Sequence, residues 1–187
     1  DPMRAELVGV SFAWRAGLAY YVPFNLDPPV LPGGRAALLD ALRDVLEDTT
    51  LRKTGQNAKY DLHVFRNAGL AVRGLEFDTM LASYLLSPGV GQHSLDALSL
   101  RYFDYRKIAT KELLGTGKQQ KTFDQVDIDL AGRYAAEDAD FTWRLRERMA
   151  PELASARLTA IFEELELPLV EVLLDMEREG IRVDLDH

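Results

Sequence analysis

At 187 residues the chain is long enough for one domain with a sizeable core and a fragment of a second. Apolar residues make up 47% and charged residues 28%, which excludes long disorder, and the absence of cysteine excludes a disulfide framework or a thiolate metal site. The net charge of -8 argues against a non-specific nucleic-acid binder, whose affinity for phosphate comes from excess lysine and arginine. No apolar run reaches membrane-spanning length and no signal pattern opens the chain, so the expectation is a soluble, cytoplasmic protein.

Residues 7–14 and 18–23 are rich in strand formers and are joined by Arg15-Ala16-Gly17, which predicts a β-hairpin. Pro28, Pro29, Pro32, Gly33 and Gly34 mark a loop, and Leu38, Leu39, Leu42, Val45 and Leu46 then repeat at helical spacing. Residues 51–55 read as a short strand leading into a helix that starts near Asn57 and stops at Gly69. Residues 70–77 read as extended, with Asp78-Thr79 capping a short helix that Pro88-Gly89 ends.

Ser94 is placed to cap a helix reaching about Phe103, and Asp127 to cap a long one reaching Met149. Between Arg101 and Lys121 six basic residues, Lys107 among them, stand against two acidic ones, a local balance of +4 that reads first as a solvated loop face. Within this stretch, residues 115–121 (Gly-Thr-Gly-Lys-Gln-Gln-Lys) suit a flexible flap over a phosphate backbone. From Glu152 the apolar positions Leu158, Phe162, Leu165, Leu169, Val172 and Met176 keep a helical rhythm to Gly180, with Pro168 expected to kink it. Residues 181–184 begin something extended. A helix so apolar on one face needs a partner surface, which the sequence does not identify.

Two segments stand out as candidates for chemistry: Gly55-Gln56-Asn57-Ala58-Lys59-Tyr60-Asp61 and Gly132-Arg133-Tyr134-Ala135-Ala136-Glu137-Asp138-Ala139-Asp140. Each places a polar residue four positions before an aspartate, so on helices Asn57 and Asp61 would share one face, and Tyr134 and Asp138 another. Carboxylates are the hard oxygen ligands that divalent cations need in phosphodiester hydrolysis. Asp140 lies about 200 degrees around a helix from Asp138 and cannot face the same site. Taken singly, each residue has a plainer role: Asn57 as a helix cap, Asp61 as a first-turn acid, Tyr134 as a core tyrosine. Asp78 reads as a helix cap, and His63 and His93, without spaced metal-ligand partners, read as structural.

Taken in order, Gly-Gln-Asn-x-Lys-Tyr-Asp, then Phe77-Asp78-Thr79-Met80-Leu81, then the segment from Arg133 to Asp140 closely resemble the 3′-5′ exonuclease domain of bacterial DNA polymerase I, a family A DNA polymerase. The likeness covers essentially the whole chain, and the tail from Met176 to Asp184 resembles the junction where a polymerase domain begins, a feature not expected of RNase D-type RNA exonucleases. The resemblance implies an α/β, ribonuclease H-like mixed sheet flanked by helices, with residues 1–150 as the exonuclease-like domain and 151–187 as the leading helix of the polymerase domain. It implies proofreading of single-stranded DNA 3′ ends with two Mg²⁺ or Mn²⁺ ions and a covalently linked polymerase domain as partner; a monomer is the default expectation.

By the same resemblance Asp61 and Asp138 are metal ligands, Tyr134 positions the attacking water, and Gln56, Asn57 and Tyr60 handle the 3′-terminal nucleotide. The family's earlier Asp-x-Glu motif, on the first and central strand, is absent; Asp1 and Glu6 are the only nearby acids and are out of register. Little or no hydrolysis by this chain is therefore expected, as is a sheet that is unstable or rearranged. The alternative is a catalytically silent scaffold that guides DNA.

Overall fold

Alternating side chains build the first element as the sequence predicts. The computed structural model, which describes residues 1–117 and 120–182, pairs β1 (Gly9–Arg15) antiparallel with β2 (Leu18–Pro23) through a turn in which Gly17 takes φ 77°. That left-handed conformation favours glycine because it has no Cβ to clash. Val10, Phe12 and Val22 pack against Leu38, Leu39 and Leu42 of α1 (Gly34–Leu46). The other face of the hairpin meets α6 (Ile128–Ser155), where Gly132 lies close to the ring of Tyr21.

A second pair of strands, β3 (Lys53–Gly55) and β4 (Leu75–Asp78), runs parallel. Between them in sequence lies α2 (Ala58–Asn67), ended as expected at Gly69: the Leu70 N–H reaches the Phe65 carbonyl and the Gly69 N–H the Arg66 carbonyl. This is a Schellman closure, for which Gly69 supplies φ 77°. The extended segment predicted from residue 70 is a strand only from Leu75. The Arg73 N–H is bonded to the Leu46 carbonyl at the end of α1, which holds that stretch away from a ladder.

Helices α3 (Thr79–Leu86) and α4 (Leu95–Phe103) follow with the predicted caps, Asp78 and Ser94. The basic stretch contains an element that the sequence did not announce, the single turn α5 (Thr110–Leu114), anchored by buried Leu113. The proposed flap at residues 115–121 falls partly on residues outside the described set, and the extended start at 181–184 largely so. Helix α6 begins at its predicted cap, with Asp127 accepting from the Asp129 and Leu130 N–H groups, and runs on past Met149 and Pro151.

The C-terminal helices, α7 (Thr159–Ile161) and α8 (Leu167–Glu179), are joined by a π-helical turn at Phe162–Glu166. This wide turn immediately precedes Pro168, which has no N–H to give to a carbonyl one turn back; the expected kink takes this form. Phe162 enters the main core with Phe77, Leu98, Leu145, Met149 and Leu153. The partner surface that the sequence left open is in part α2: Val170 and Leu174 of α8 pack on Leu62. Ion pairs stitch the same interface, with Lys59 on Glu177 and Arg66 on Glu171 and Asp175, and His63 Nε2 lies at hydrogen-bond distance, 2.8 Å, from Glu177.

Contrary to the single mixed sheet expected, the described residues hold two separate two-stranded sheets. β1 and β3 line the same clefts, one of about 270 Å³ and one of about 600 Å³, without hydrogen bonding to each other. The α/β class and the flanking helices stand; the sheet is present as two halves with a slot between them.

Asp78 joins the halves of the second sheet to their helices. Its carboxylate, 2% exposed, accepts from the Met80 and Leu81 N–H groups at the start of α3 and from the Asn57 and Ala58 N–H groups at the start of α2. Each cap contributes about 1–2 kcal/mol, so Asp78→Ala, which uncaps two helices at once, is expected to lower the unfolding free energy by about 2–4 kcal/mol. Urea denaturation measures it, and a loss below about 0.5 kcal/mol would contradict this role.

Candidate active site

The four N–H groups at the start of a helix lack partners within the helix, and at α2 the missing acceptor comes from a different strand. Asn57 takes the left-handed conformation, φ 56° and ψ 46°, and its side chain makes no cap bond. Asn57 therefore precedes α2 and does not share a helical face with Asp61, contrary to the spacing argument; the Asp78 carboxylate does the capping. This geometry aims Asp61, in the first turn of α2, into the slot between the two half-sheets.

Asp61 and Asp138 line the same cleft of about 600 Å³, which β1, β3 and α6 enclose. The Asp61 side chain is open to water in the slot and yet surrounded by protein on its other sides. Desolvation, with the neighbouring charges of Asp78 and Asp138, pushes its pKa up to about 7. Asp78 is also pushed up by burial, against the pull of its four N–H partners.

Tyr134 and Asp138 lie four apart on α6, as predicted, and a lysine that the sequence reading left in the solvated basic run stands between them. Lys107 is buried, its ammonium hydrogen-bonded to Asp138, 3.5 Å from Glu137 and 3.8 Å from Asp96, and 5.1 Å from the centre of the Tyr134 ring. Burial disfavours its charge, but the carboxylates of Asp138, Glu137 and Asp96 outweigh that and hold its pKa above the usual lysine value. Asp138 also moves up: burial leads, and Asp96 and Glu137 add to it against the pull of Lys107. The Tyr134 hydroxyl lies 3.2 Å from Thr110 Oγ1, and its pKa is raised, chiefly by burial.

Of the remaining predicted residues, Gln56 lines the same cleft and Tyr60 does not. Gln56 is committed to the protein, its amide donating to the His93 carbonyl at 3.0 Å and its oxygen accepting from Thr79. Tyr60 is exposed and lines a neighbouring pocket with Arg35, Gln120 and Lys121, away from the cleft of Asp61 and Asp138. Asp140 bonds the Gly17 N–H at 2.6 Å and Arg144 at 2.8 Å, pinning the hairpin turn to α6, in line with its exclusion from the site. His63 and His93 are buried and structural, His93 bonding Ser83 Oγ and stacking on Tyr84.

Sequence reasoning missed Glu137. It accepts from the Tyr105 hydroxyl at 2.9 Å and the Ile108 N–H at 2.8 Å, and so fastens the 104–109 loop that delivers Lys107. Its position next to Asp138 in the second motif was the only available signal.

Oxygen donors on a shared, water-accessible cleft suit a hard divalent ion. Among the described residues no three of His, Cys, Asp and Glu gather as a metal cluster. Asp61 and Asp138 are the two carboxylates of the predicted pair that line this cleft.

A sequence profile described as 3′-5′ exonuclease matches residues 1–154. The chain belongs to the 3′-5′ exonuclease family. It is 43% identical to DNA polymerase I of Pseudomonas aeruginosa, over 98% of this chain and 21% of that protein. To DNA polymerase I of Rhizobium leguminosarum it is 42% identical, over 98% of this chain and 20% of that protein. The chain thus spans about a fifth of the length of these relatives.

Among solved structures, Pol1 of M. smegmatis, in complex with a DNA primer-template and dNTP, matches with TM-score 0.68 and 26% identity, over 91% of this chain and 25% of that one. NrnC of Brucella melitensis matches with TM-score 0.72 over 96% of this chain and 80% of that one, and its Mg²⁺-bound form with 0.70 over 98% and 83%. At 18% identity in each case, NrnC shares the fold.

The raised pKa of Asp61 has a direct consequence for stability. Below its ordinary carboxyl pKa, Asp61 favours the folded state, and that contribution is lost as pH rises through about 7. Asp61→Asn, which mimics the neutral acid, is expected to raise Tm by about 2–4 °C at about pH 8 in chelator and to leave it unchanged at about pH 4. Thermal melts across pH measure this; a gain that does not depend on pH would refute it.

Proposed function

We propose that this chain is the 3′-5′ exonuclease domain of a DNA polymerase I, built to remove nucleotides from single-stranded DNA 3′ ends by metal-dependent hydrolysis in proofreading. The observation that carries this reading is the convergence of Asp61 and Asp138, from helices far apart in sequence, on one cleft. Asp61 and Asp138 would hold the divalent ion, Mg²⁺ or Mn²⁺, which when bound stabilises the attacking and leaving oxygens. Tyr134, half-buried beside Thr110, orients the attacking water through its hydroxyl. Asn57 and Gln56 handle the terminal nucleotide, with Gln56 held by its bonds to His93 and Thr79, and Tyr60, which lines the neighbouring pocket, would meet the strand outside the cleft.

The slot between the half-sheets supports a further part of the reading, in which another strand, bearing the Asp-x-Glu acids, would lie there and complete a two-metal site. Residues 151–182 lead toward a linked polymerase domain, and the working unit is a cytoplasmic monomer. Two observations favour a second reading, a silent scaffold that guides DNA: Lys107 already neutralises Asp138, and no third acid joins the pair among the described residues.

Release of mononucleotides from a 5′-labelled single strand in Mn²⁺ separates the two readings. This chain is expected to release little or none. A version extended N-terminally with the corresponding acidic strand of a similar DNA polymerase I is expected to be active, and Asp61→Ala or Asp138→Ala in it should lower the rate by about a hundredfold or more. Equal rates in these variants would sink the exonuclease assignment, and a folded extended protein without activity would favour the scaffold.

A further inference from the structure

Among the described residues Lys107 is the one buried lysine or arginine, and its charge faces the acids of the candidate site. A buried ammonium is costly unless paired, and its pairs here are Asp138, Glu137 and Asp96, with the face of the Tyr134 ring beside it. Glu137 fastens the 104–109 backbone through Tyr105 and Ile108 and also accepts from the Lys107 ammonium at 3.5 Å, whereas Asp138 hydrogen-bonds the ammonium and makes no hydrogen bond to the loop backbone among the described residues. A four-carbon stem can therefore withdraw its charge from Asp138 while the loop stays in place.

We propose that Lys107 is an internal counter-cation that occupies the Asp138 carboxylate in the metal-free protein and must be displaced for a divalent ion to bind there. Lys107 is thus a positioning residue: it keeps Asp138 ordered and aimed at the cleft, and it sets how much metal is needed to load the site. The inference rests on reading Asp138 as a metal ligand. Binding of one cation and contact with the other exclude each other, so the free energy that holds the ammonium on Asp138 is subtracted from metal binding there.

The test is Mn²⁺ binding, followed by calorimetry and by the paramagnetic signal of free Mn²⁺, on the chain and its variants without nucleic acid. Lys107→Met is expected to tighten Mn²⁺ binding about tenfold, and Lys107→Arg, which keeps the charge, to leave it near the unsubstituted value. Adding Asp138→Asn to Lys107→Met should abolish the gain. Should Lys107→Met fold poorly in chelator, its Tm is expected to recover on adding Mn²⁺ by more than that of the unsubstituted chain.

Mn²⁺ binding that Lys107→Met leaves unchanged or weakens, while Asp138→Asn still reduces it, would overturn the counter-cation proposal and leave the metal reading standing. Mn²⁺ binding that is indifferent to Asp138→Asn in every background would overturn both.

Discussion

The Asp78 carboxylate is the constraint from which the site follows. A buried carboxylate must find hydrogen-bond donors, and two helix N-termini offer donors that have no other use. By accepting from both, Asp78 fixes the angle at which α2 leaves β3 and α3 leaves β4. The first turn of α2 carries Asp61, so a structural acid positions the acid that faces the cleft. The same closeness sets their electrostatic conflict, since Asp78 is among the charges that raise the pKa of Asp61.

α6 supplies the other half of the arrangement and does so by dividing its neighbouring acids among separate tasks. Over the four positions from Glu137 to Asp140 the chain turns around the helix, so each acid meets a different part of the fold. Glu137 fastens the 104–109 loop, Asp138 faces the cleft and Lys107, and Asp140 holds the hairpin turn through Gly17 and Arg144. Buried Leu145, Met149 and Leu153 lock the helix into the main core, so these acids are displayed on a rigid element. The ion-paired contact of α8 with α2 braces the other helix of the site from behind.

The cleft concentrates negative charge in a partly desolvated place, a condition that favours binding of a cation and weakens the empty fold. Lys107 answers this conflict within the described residues. Its role depends on the loop after α4, where apparent membership of a solvated basic run concealed a buried, fully engaged side chain.

Much of the local structure was legible in the sequence because it is set by local chemistry. Turn residues between strand formers gave the hairpin, Asp78, Ser94 and Asp127 announced their helices, Gly69 closed α2, and the spacing of Tyr134 and Asp138 needed only a helix to put them on one face. The ordered motifs carry the family resemblance without any coordinates. Tertiary structure alone decided the rest, because it rests on groups distant in sequence. It replaced Asn57 by Asp78 as the acceptor at α2 and turned Gln56 inward to His93 and Thr79. It also split the expected sheet into two halves and drew Lys107 onto Asp138. No residue spacing encodes these pairings; each is settled by which buried charge or unpaired backbone group has a partner within reach once the helices have packed.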